Sequence, residues 1–363
     1  MPGSVTRAFG AAILIAASLA GSASWAVAAR AAIQGWRVVA AGKAGVSSMS
    51  AVTVVSRKNV WAAGSSSGRA FVDHWTGRQW RKSPLPSGLS GDVMALSASA
   101  WNNVWAFGAG PYAKGEFALR DNGHGWRVVK RWPGETSISS AIALSPRNVW
   151  VFSFVTGTIQ HFNGSRWSKV QISPFIRWFD SARALPDGQI WAIAEGPQVV
   201  VGTPHPSGYT WTATPLTGFP SDNVGGHEIT DIAPLSASNV WAFGGNVTRR
   251  GHWYPLAAHW NGQAWKRVNV TGSFTLSGGA SASDGHGGLW VTMGWGGSSI
   301  PPRLLHFVGG KFAAVSLPRR NGKHLGVFGL AHLPGSRSVW GVGTWTGPSG
   351  LGAPTSAILK YGR

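Results

Sequence analysis

Short runs of alternating apolar and polar positions fill the chain, and the stretch Arg147–Val170 shows this pattern most clearly. Its apolar positions form three groups, and Asn163-Gly164, a dipeptide typical of two-residue hairpin turns, joins the last two. The preceding run Ser139–Leu144 alternates in the same way. The pattern therefore predicts four antiparallel strands in this stretch. Because one such sheet cannot bury both of its faces alone, it must stack against similar sheets.

The unit recurs seven times, and each copy contains an apolar residue followed by Trp. The spacings between these Trp residues are 44, 45, 41, 50, 49 and 50, in or near the period of four-stranded propeller blades. The seventh copy stops at Ala357–Arg363, before its last strand, and Ile33–Val39 near the other end resembles the missing strand. We therefore predict an all-β, seven-bladed β-propeller of four-stranded antiparallel blades whose last blade is closed by the N-terminal strand. The seven Trp residues are Trp61, Trp105, Trp150, Trp191, Trp241, Trp290 and Trp340.

The repeated motifs W-x-x-V, V-W-A-x-G and H-W-N-G-x-x-W resemble those of secreted bacterial β-propeller repeat proteins, and they share features with tectonin-type and kelch-type blades. The resemblance covers residues 31–363 and implies the propeller fold for that stretch. Because such families include lectins, adaptor surfaces and a few enzymes, the resemblance implies no single ligand or reaction.

The first 29 residues follow a different pattern from the repeats. Arg7 precedes a short apolar run, and Ala26-Val27-Ala28 is a small-x-small cleavage motif, as in a secretory signal peptide. We predict a signal peptide over 1–29, a propeller over 30–363, and a monomer that is secreted to the extracellular space or associated with the cell wall. No later apolar run is long enough for a membrane span. The absence of Cys excludes disulfides, thiol catalysis and Cys-ligated zinc.

Positive charge dominates the sequence, with 32 Lys and Arg against 12 Asp and Glu, and a formal net charge of +20. Such a protein attracts polyanions, so an anionic cell-wall polymer is an expected partner of an exported one. The cations concentrate on the predicted outer strands, where they also discourage edge-to-edge aggregation. Because they are dispersed around the circumference, nucleic acid is not an expected partner. These cations are Arg37, Arg81, Lys82, Arg127, Lys130, Arg131, Lys169, Lys266 and Arg267.

Two columns of repeated residues are interpreted as structural. The seven Trp residues occupy the same place in every copy, which indicates packing between neighbouring sheets and not a sugar-stacking ring. His74, His161, His259 and His306 share a second column, and their spacing around the ring excludes a shared metal ion. We expect these histidines to be hydrogen-bonded residues of the third strand in each blade.

The connections at the two ends of the blades differ in length. When the strands of a blade are lettered a to d from the axis outward, the a–b and c–d turns are short and uniform, while the b–c and d–a connections vary. Loops of unequal length on a regular scaffold usually carry the binding chemistry. We therefore assign function to the end of the ring that bears the b–c and d–a connections, called here the variable face.

Four carboxylates near the start of a strands break the repeat: Asp92, Asp180, Glu228 and Asp231. We place them at the mouth of the axial channel, as the catalytic candidates if the protein is an enzyme. Asp180, Glu228 and Asp231 are also candidates for a Ca²⁺ site, and no other cofactor is expected. The alternative is solvated charge neutralised by Arg and Lys, since a slip of one residue in register turns a side chain to the other face.

The loop Arg249–Tyr254 places cations beside aromatic rings, a combination that stacks on sugars and pairs with anions. The alternative is that its aromatic residues cover the adjoining blade. Arg183 and His332 are expected further along their a strands, facing the channel. The candidate ligand-binding residues are Arg183, Arg249, Arg250, His252, Trp253, Tyr254, Trp295, His332 and Trp345.

Catalytic motifs are scarce, because the sequence contains no G-x-S-x-G, no H-E-x-x-H and no phosphate loop. We therefore expect an exported, non-catalytic, lectin-like module that recognises carbohydrate or a cell-envelope polymer through the variable face. A propeller glycoside hydrolase or lyase that uses the four carboxylates is the alternative. A protein–protein interaction platform is the third hypothesis.

Overall fold

The structure is a computed structural model, and every regular element in the residues it describes is a β-strand. Within this part of the chain, no helix has the length and hydropathy that a bilayer span requires. The predicted signal peptide lies outside the described residues. These residues are 35–42, 47–110, 115–134, 137–173, 175–196, 198–216, 227–247, 253–270, 280–293, 303–309, 311–346 and 354–362.

Each strand is short, as expected from the alternating runs of the sequence. The first fourteen are β1 (Arg37–Ala41), β2 (Ser47–Ser56), β3 (Asn59–Ser66), β4 (Arg69–Trp75), β5 (Trp80–Ser83), β6 (Asp92–Ala100), β7 (Asn103–Ala109), β8 (Glu116–Asp121), β9 (Trp126–Trp132), β10 (Ile138–Ser145), β11 (Asn148–Ser153), β12 (Ile159–Phe162), β13 (Trp167–Val170) and β14 (Phe179–Ala184). The others are β15 (Ile190–Ala194), β16 (Gln198–His205), β17 (Gly208–Pro215), β18 (His227–Ser236), β19 (Asn239–Val247), β20 (Trp253–Trp260), β21 (Trp265–Val268), β22 (Ser281–Ser283), β23 (Leu289–Met293), β24 (Arg303–Val308), β25 (Lys311–Val315), β26 (His324–His332), β27 (Val339–Thr346) and β28 (Thr355–Tyr361).

Seven four-stranded antiparallel sheets form the blades of a closed ring. Blades 1 to 6 each use four consecutive strands, starting with β2, and blade 7 has the order β26-β27-β28-β1. The a strand of each blade packs against the a strand of the next, and β26 packs against β2 to close the circle. The predicted fold, including the count of seven blades, is confirmed.

The N-terminal strand completes the last blade, as predicted. Strand β1 pairs with β28, with Arg37 opposite Lys360. The indole of Trp36 lies 5.7 Å from the ring of Tyr361 and 5.2 Å from that of Trp290 in blade 6. The seam is therefore sealed by backbone pairing and by aromatic packing, which leaves the edge of β28 covered.

The repeated Trp residues pack between blades, which confirms their structural interpretation. Trp105 of blade 2 is fully buried and lies 5.9 Å from Trp167 of blade 3. Trp340 of blade 7 lies 5.6 Å from Trp80 of blade 1. The b-strand Trp of one blade thus contacts the outer aromatics of the next around the ring. Each ring buries ~150 to 250 Å², so these contacts form much of the core.

The histidine column is also structural. The His161 ring stacks on Trp150 at 3.9 Å between centroids, and its Nε2 is 3.0 Å from Asn148 Oδ1. The same Asn148 oxygen accepts a hydrogen bond from Trp150 Nε1 at 2.6 Å. Blades 1 and 5 repeat the stacking and the hydrogen bond to Asn with His74 and His259. In blade 3 the amide oxygen of Asn148 therefore accepts hydrogen bonds from both the indole and the imidazole ring.

A β-bulge in the a strand recurs in the described blades and sets the register near the axis. In blade 2 the pairing shifts between Val93 and Ala95, and blades 1, 3, 4, 5 and 7 shift at corresponding places. In blade 2 the glycine of the V-W-A-x-G motif, Gly108, lies opposite Val93, and a Cβ there would meet the carbonyl oxygen of Asp92 at 2.0 Å. Glycine is required where the two backbones approach this closely.

Candidate functional site

Small residues follow the bulge in most blades, and Asp231 is the exception. The corresponding residues include Ala51 and Ala95 in blades 1 and 2 and Ser140 and Ser181 in blades 3 and 4. Serines near this position link neighbouring a strands; for example, the Ala182 amide donates to Ser140 Oγ at 3.0 Å. Asp231 therefore introduces a carboxylate into a belt that is otherwise built from small side chains.

The Asp231 carboxylate joins three blades. Its Oδ1 accepts hydrogen bonds from Ser181 Oγ of blade 4 at 2.7 Å and from Arg183 Nη2 at 3.2 Å. Its Oδ2 accepts a hydrogen bond from Ser281 Oγ of blade 6. Only 1% of Asp231 is exposed, so this carboxylate is satisfied by its neighbours below the surface.

Arg183 forms the exposed part of the same cluster. Its side chain is 37% exposed, and Nη1 donates to Ser181 Oγ at 3.2 Å and to the Ala182 carbonyl at 3.1 Å. These bonds and the one to Asp231 engage three of the five N–H donors of the guanidinium. The described residues supply no acceptor for the remaining donors. A fixed guanidinium of this kind presents directed hydrogen bonds to a carboxylate, a phosphate or a sugar oxygen.

Of the other predicted carboxylates, Asp92 lies away from this cluster. Asp92 is half-buried in blade 2, and burial raises its pKa, opposed by hydrogen bonds from the Val93 amide and from the Ser65 hydroxyl of blade 1. Blades 2 and 5 are three places apart in the ring, so Asp92 and Asp231 have separate surroundings. Asp180 occupies the bulge of β14, and Glu228 is the second residue of β18, with a side chain outside the described part.

The predicted Ca²⁺ site gains no support from the described geometry. Asp231 already has Ser181, Ser281 and Arg183 on its oxygens, and a neighbouring guanidinium opposes a cation. Among the described residues, no group of three or more His, Asp or Glu side chains is arranged for a metal ion.

Most of the predicted binding loop lies outside the described residues. Arg249, Arg250, His252 and Trp295 belong to undescribed segments. The backbones of Trp253 and Tyr254 begin β20, where they pair with Val247 and Asn246, but their side chains are not described. The ligand contacts predicted for this loop therefore stay predictions.

Two predicted ligand-binding residues, Trp345 and His332, are engaged by other residues of the protein. Trp345 is only 3% exposed and packs in the core with Arg320 over its ring at 5.4 Å, so it provides no open stacking surface. His332 pairs with Val339 at the end of β26, and its Nε2 donates to the Ser336 carbonyl in the a–b turn at 2.7 Å. His332 therefore lies at the end of its a strand, beside the a–b turn.

The structure reveals an exposed apolar patch that the sequence did not single out. It consists of Phe154 and Val155 in the b–c loop of blade 3, and Phe175 in the link to blade 4, which is 82% exposed. The two segments touch, because a Cβ on Gly157 would meet the Ile176 carbonyl oxygen at 2.0 Å. Large exposed apolar side chains on neighbouring loops are typical of contact surfaces.

The outer strands carry the positive charge, as the sequence indicated. Their residues include ten Lys and Arg and no Asp or Glu. Most of these cations are exposed, and six of the ten lie on blades 1 to 3, whereas β17 of blade 4 has none. The circumference is therefore a cationic rim, defined here as Arg37, Arg81, Lys82, Arg127, Lys130, Arg131, Lys169, Lys266, Arg267 and Lys311.

Comparison with known proteins supports the propeller fold but identifies no family and no specific function. No protein-family model matches the sequence, and no curated protein matches it. The chain is similar to YCF48 bound to a D1 peptide, with a TM-score of 0.61 and 15% identity over 90% of this chain and 95% of that one. It is also similar to the extracellular domain of a putative one-component system from B. thetaiotaomicron, with a TM-score of 0.59 and 12% identity over 90% of this chain and 40% of that one.

A third similar structure is the GH74 xyloglucanase from Xanthomonas campestris, with a TM-score of 0.59 and 13% identity over 88% of this chain and 55% of that one. At these identities the likeness shows only a shared fold. The chain is a seven-bladed β-propeller, an architecture compatible with a binding or interaction module.

Proposed function

We propose that this protein is an exported, non-catalytic binding module that recognises carbohydrate or an anionic cell-envelope polymer. The observation that carries the proposal is the cationic rim, in which seven outer strands hold ten cations and no carboxylate. A surface of one sign attracts a polyanion over the Debye length and holds it through many weak contacts. The described residues thus supply attraction to a charged polymer from all sides except blade 4.

Arg183 supplies a specific contact near the axis in this proposal. Its guanidinium is held by Asp231 and Ser181, so it loses little freedom when it binds an oxygen ligand. The variable-face loops would add the remaining contacts. One of the structures similar in fold is a xyloglucanase, which places a polysaccharide-acting protein on the same architecture.

Binding to wall fragments tests the proposal. We would compare co-sedimentation with fragments that retain their anionic polymer and with fragments from which it has been extracted, at increasing salt. Retention that falls with salt and with extraction is expected. The triple variant Arg127→Ser/Arg131→Ser/Lys169→Ser should lose about tenfold in affinity, since each rim contact contributes a few tenths to 1 kcal/mol. Equal binding to extracted fragments would contradict an anionic ligand.

A charge-matched control separates the rim from net charge. The variant Arg57→Ser/Lys58→Ser/Arg147→Ser removes three exposed cations from a–b turns, away from the outer strands. It should bind within about threefold of the wild type, because screening limits the effect of distant charges. The hydrolase alternative would replace the proposal if the protein released reducing ends and Asp92→Asn or Asp180→Asn abolished that release.

A protein-interaction platform is the second candidate, and the apolar patch of Phe154, Val155 and Phe175 favours it. YCF48, which shares the fold, has been described with a bound peptide. Replacement of Phe175 by Asp should release any co-purifying partner without affecting retention on wall fragments. A partner that stays bound to this variant would exclude the patch as its contact surface.

A further inference from the structure

The outer edge of blade 1 is incomplete. Strand β4 runs over seven residues, Arg69–Trp75, but β5 pairs only with its last four, Val72–Trp75. In blade 2, by contrast, β9 pairs with β8 from Glu116 to Asp121. Within the continuous stretch 47–110, no strand pairs with the outer side of Arg69–Phe71. Three residues of β4 therefore present an open backbone edge.

Two prolines explain why the outer strand stops early. Pro84 follows β5 directly, and Pro86 comes two residues later. Proline lacks the N–H that an antiparallel ladder requires, so the chain leaves the sheet at Ser83. It then turns inward to Gly91, whose amide donates to the Gly68 carbonyl at 2.9 Å.

The departing chain leaves a groove of about 590 Å³ beside the open edge. One wall is the start of β4, and the other is the link that follows β5. Phe71, Leu85 and Leu89 contribute apolar side chains to the lining, while Arg69 and Lys82 contribute positive charge. No Asp or Glu lines the groove. Its lining therefore combines unpaired backbone, apolar surface and cations.

We propose that this groove binds an extended acidic peptide of a partner protein, which pairs with Arg69–Phe71 as an added β-strand. Strand addition to an exposed edge derives affinity from main-chain hydrogen bonds and specificity from pockets for alternate side chains. Alternate apolar side chains of the peptide pack against Leu85, which is only partly buried. Its carboxylates pair with Arg69 and Lys82, as the charge of the lining requires.

This surface shares Lys82 with the cationic rim of the proposed function but differs from it otherwise. Arg69 lies on a c strand and is not part of the cationic rim. Polymer binding through the rim needs no open edge and no groove. A peptide that completes the sheet, in contrast, must donate and accept backbone hydrogen bonds.

The experiment uses a fluorescein-labelled octapeptide of alternating Glu and Val, measured by fluorescence anisotropy with the folded protein. Wild type is expected to bind it, and Arg69→Glu is expected to weaken binding about tenfold, as loss and reversal of one charge-assisted contact predict. The matched control Arg127→Glu reverses an exposed cation on the outer strand of blade 2 and should change affinity by about twofold or less. N-methylation of alternate amides in the peptide should abolish binding.

Four results would overturn the proposal. These are no binding of the octapeptide to wild type, equal binding of the N-methylated peptide, an equal loss in Arg127→Glu and Arg69→Glu, and a concentration-dependent dimer that Arg69→Glu abolishes. The third would show general polyanion binding, and the fourth would show that a second copy of the chain occupies the edge. Because the chain has no Cys, a single Ser87→Cys with a reactive group provides a site-specific cross-link to the bound peptide.

Discussion

Arg183 and Asp231 meet between the a strands of blades 4 and 5, with Nη2 of the first 3.2 Å from Oδ1 of the second. The two hydroxyls of Ser181 and Ser281 bind the same carboxylate. Because Asp231 is buried, its removal leaves three donors without their acceptor in a poorly solvated place. The cluster therefore links three blades, and it also holds the partly exposed guanidinium of Arg183 in place.

We expect Asp231→Ala to lower the free energy of unfolding by about 2 to 4 kcal/mol, less than for a fully buried pair because Arg183 is partly exposed. Guanidinium denaturation at pH 7 measures the change. The control Asp187→Ala removes an exposed turn carboxylate and should cost about 1 kcal/mol or less. In the double variant with Arg183→Ala the losses should be less than additive. Full additivity would show that the two side chains do not interact.

Glu116 should make stability depend on pH. This carboxyl is 4% exposed, its Oε1 has no partner in the described structure, and it lies beside a cavity of about 20 Å³ lined by Gln160 and Thr158. Burial raises its pKa from 4.5 to about 7, opposed by a hydrogen bond from the Ile138 amide. Because the folded pKa lies above the unfolded one, the stabilising contribution is present below about pH 4.5 and is lost as the pH rises through 7.

The variant Glu116→Gln removes this titration. At pH 8 it should be more stable than wild type by about 3 kcal/mol, as the pKa difference predicts. At pH 4.5 the two proteins should agree within about 0.5 kcal/mol, since both carry a neutral side chain there. Urea denaturation across this range measures the difference. A constant difference between the two proteins at every pH would contradict a titrating Glu116.

The seam between the first and last strands should limit stability. Trp36 is 8% exposed, so Trp36→Ala should cost about 3 to 5 kcal/mol through the cavity left beside Trp290 and Tyr361. Replacement of Trp101, which is 58% exposed, by Ala is the control and should cost less than about 1 kcal/mol. Thermal unfolding measures both. Similar losses in the two variants would contradict a structural seam at Trp36.

The fold could be predicted because its signals are repeated. Seven Trp residues at similar spacing identify the blades, and Trp36 supplies the strand that the C-terminus lacks. The number of blades and the closing strand can both be inferred without knowledge of which side chains are in contact. Packing, which follows the hydrophobic pattern, was predictable for the same reason.

The site was less predictable because the bulge in each a strand changes the register. Asp180 occupies the bulge of β14, while Asp231 lies one position after the bulge of β18. Simple alternation cannot assign faces at such a place. The sequence identified Arg183 and Asp231 as candidates, but not the hydrogen bonds that engage Asp231.

The burial of Glu116 and of Trp345 could not be predicted from the sequence either. Glu116 begins a c strand after an undescribed segment, and nothing in its neighbourhood in sequence indicates burial against blade 3. Trp345 is the second-last residue of its strand, where the sequence indicated an exposed aromatic ring, yet the core covers it. Burial of a lone residue depends on the neighbouring blade, which local sequence does not describe.

In blade 6 the histidine of the column pairs with an aspartate in place of the asparagine found in blades 1, 3 and 5. There Asp284 reaches from the a–b turn, and its Oδ2 lies 2.9 Å from His306 Nε2. Gly288 stands where blade 3 has Asn148, and a Cβ at Gly288 would meet the same carboxylate oxygen at 2.3 Å. Although burial raises the pKa of Asp284, hydrogen bonds from His306 and from two backbone amides lower it overall. A carboxylate is therefore compatible with a stacked histidine in this fold.

Asn148→Asp should bring the same pairing to blade 3. In the wild type, burial lowers the pKa of His161, so its contribution to stability is present above about pH 6.5 and is lost as the pH falls. A carboxylate at 148 favours the imidazolium, so the pKa of His161 should rise and the loss of stability on acidification should shrink. NMR titration of the ring resonances measures the first effect, with His259 of blade 5 as the unchanged reference. If His161 and His259 both kept their wild-type titration, the carboxylate would not face the ring, and the shared-acceptor geometry of Asn148 would be wrong.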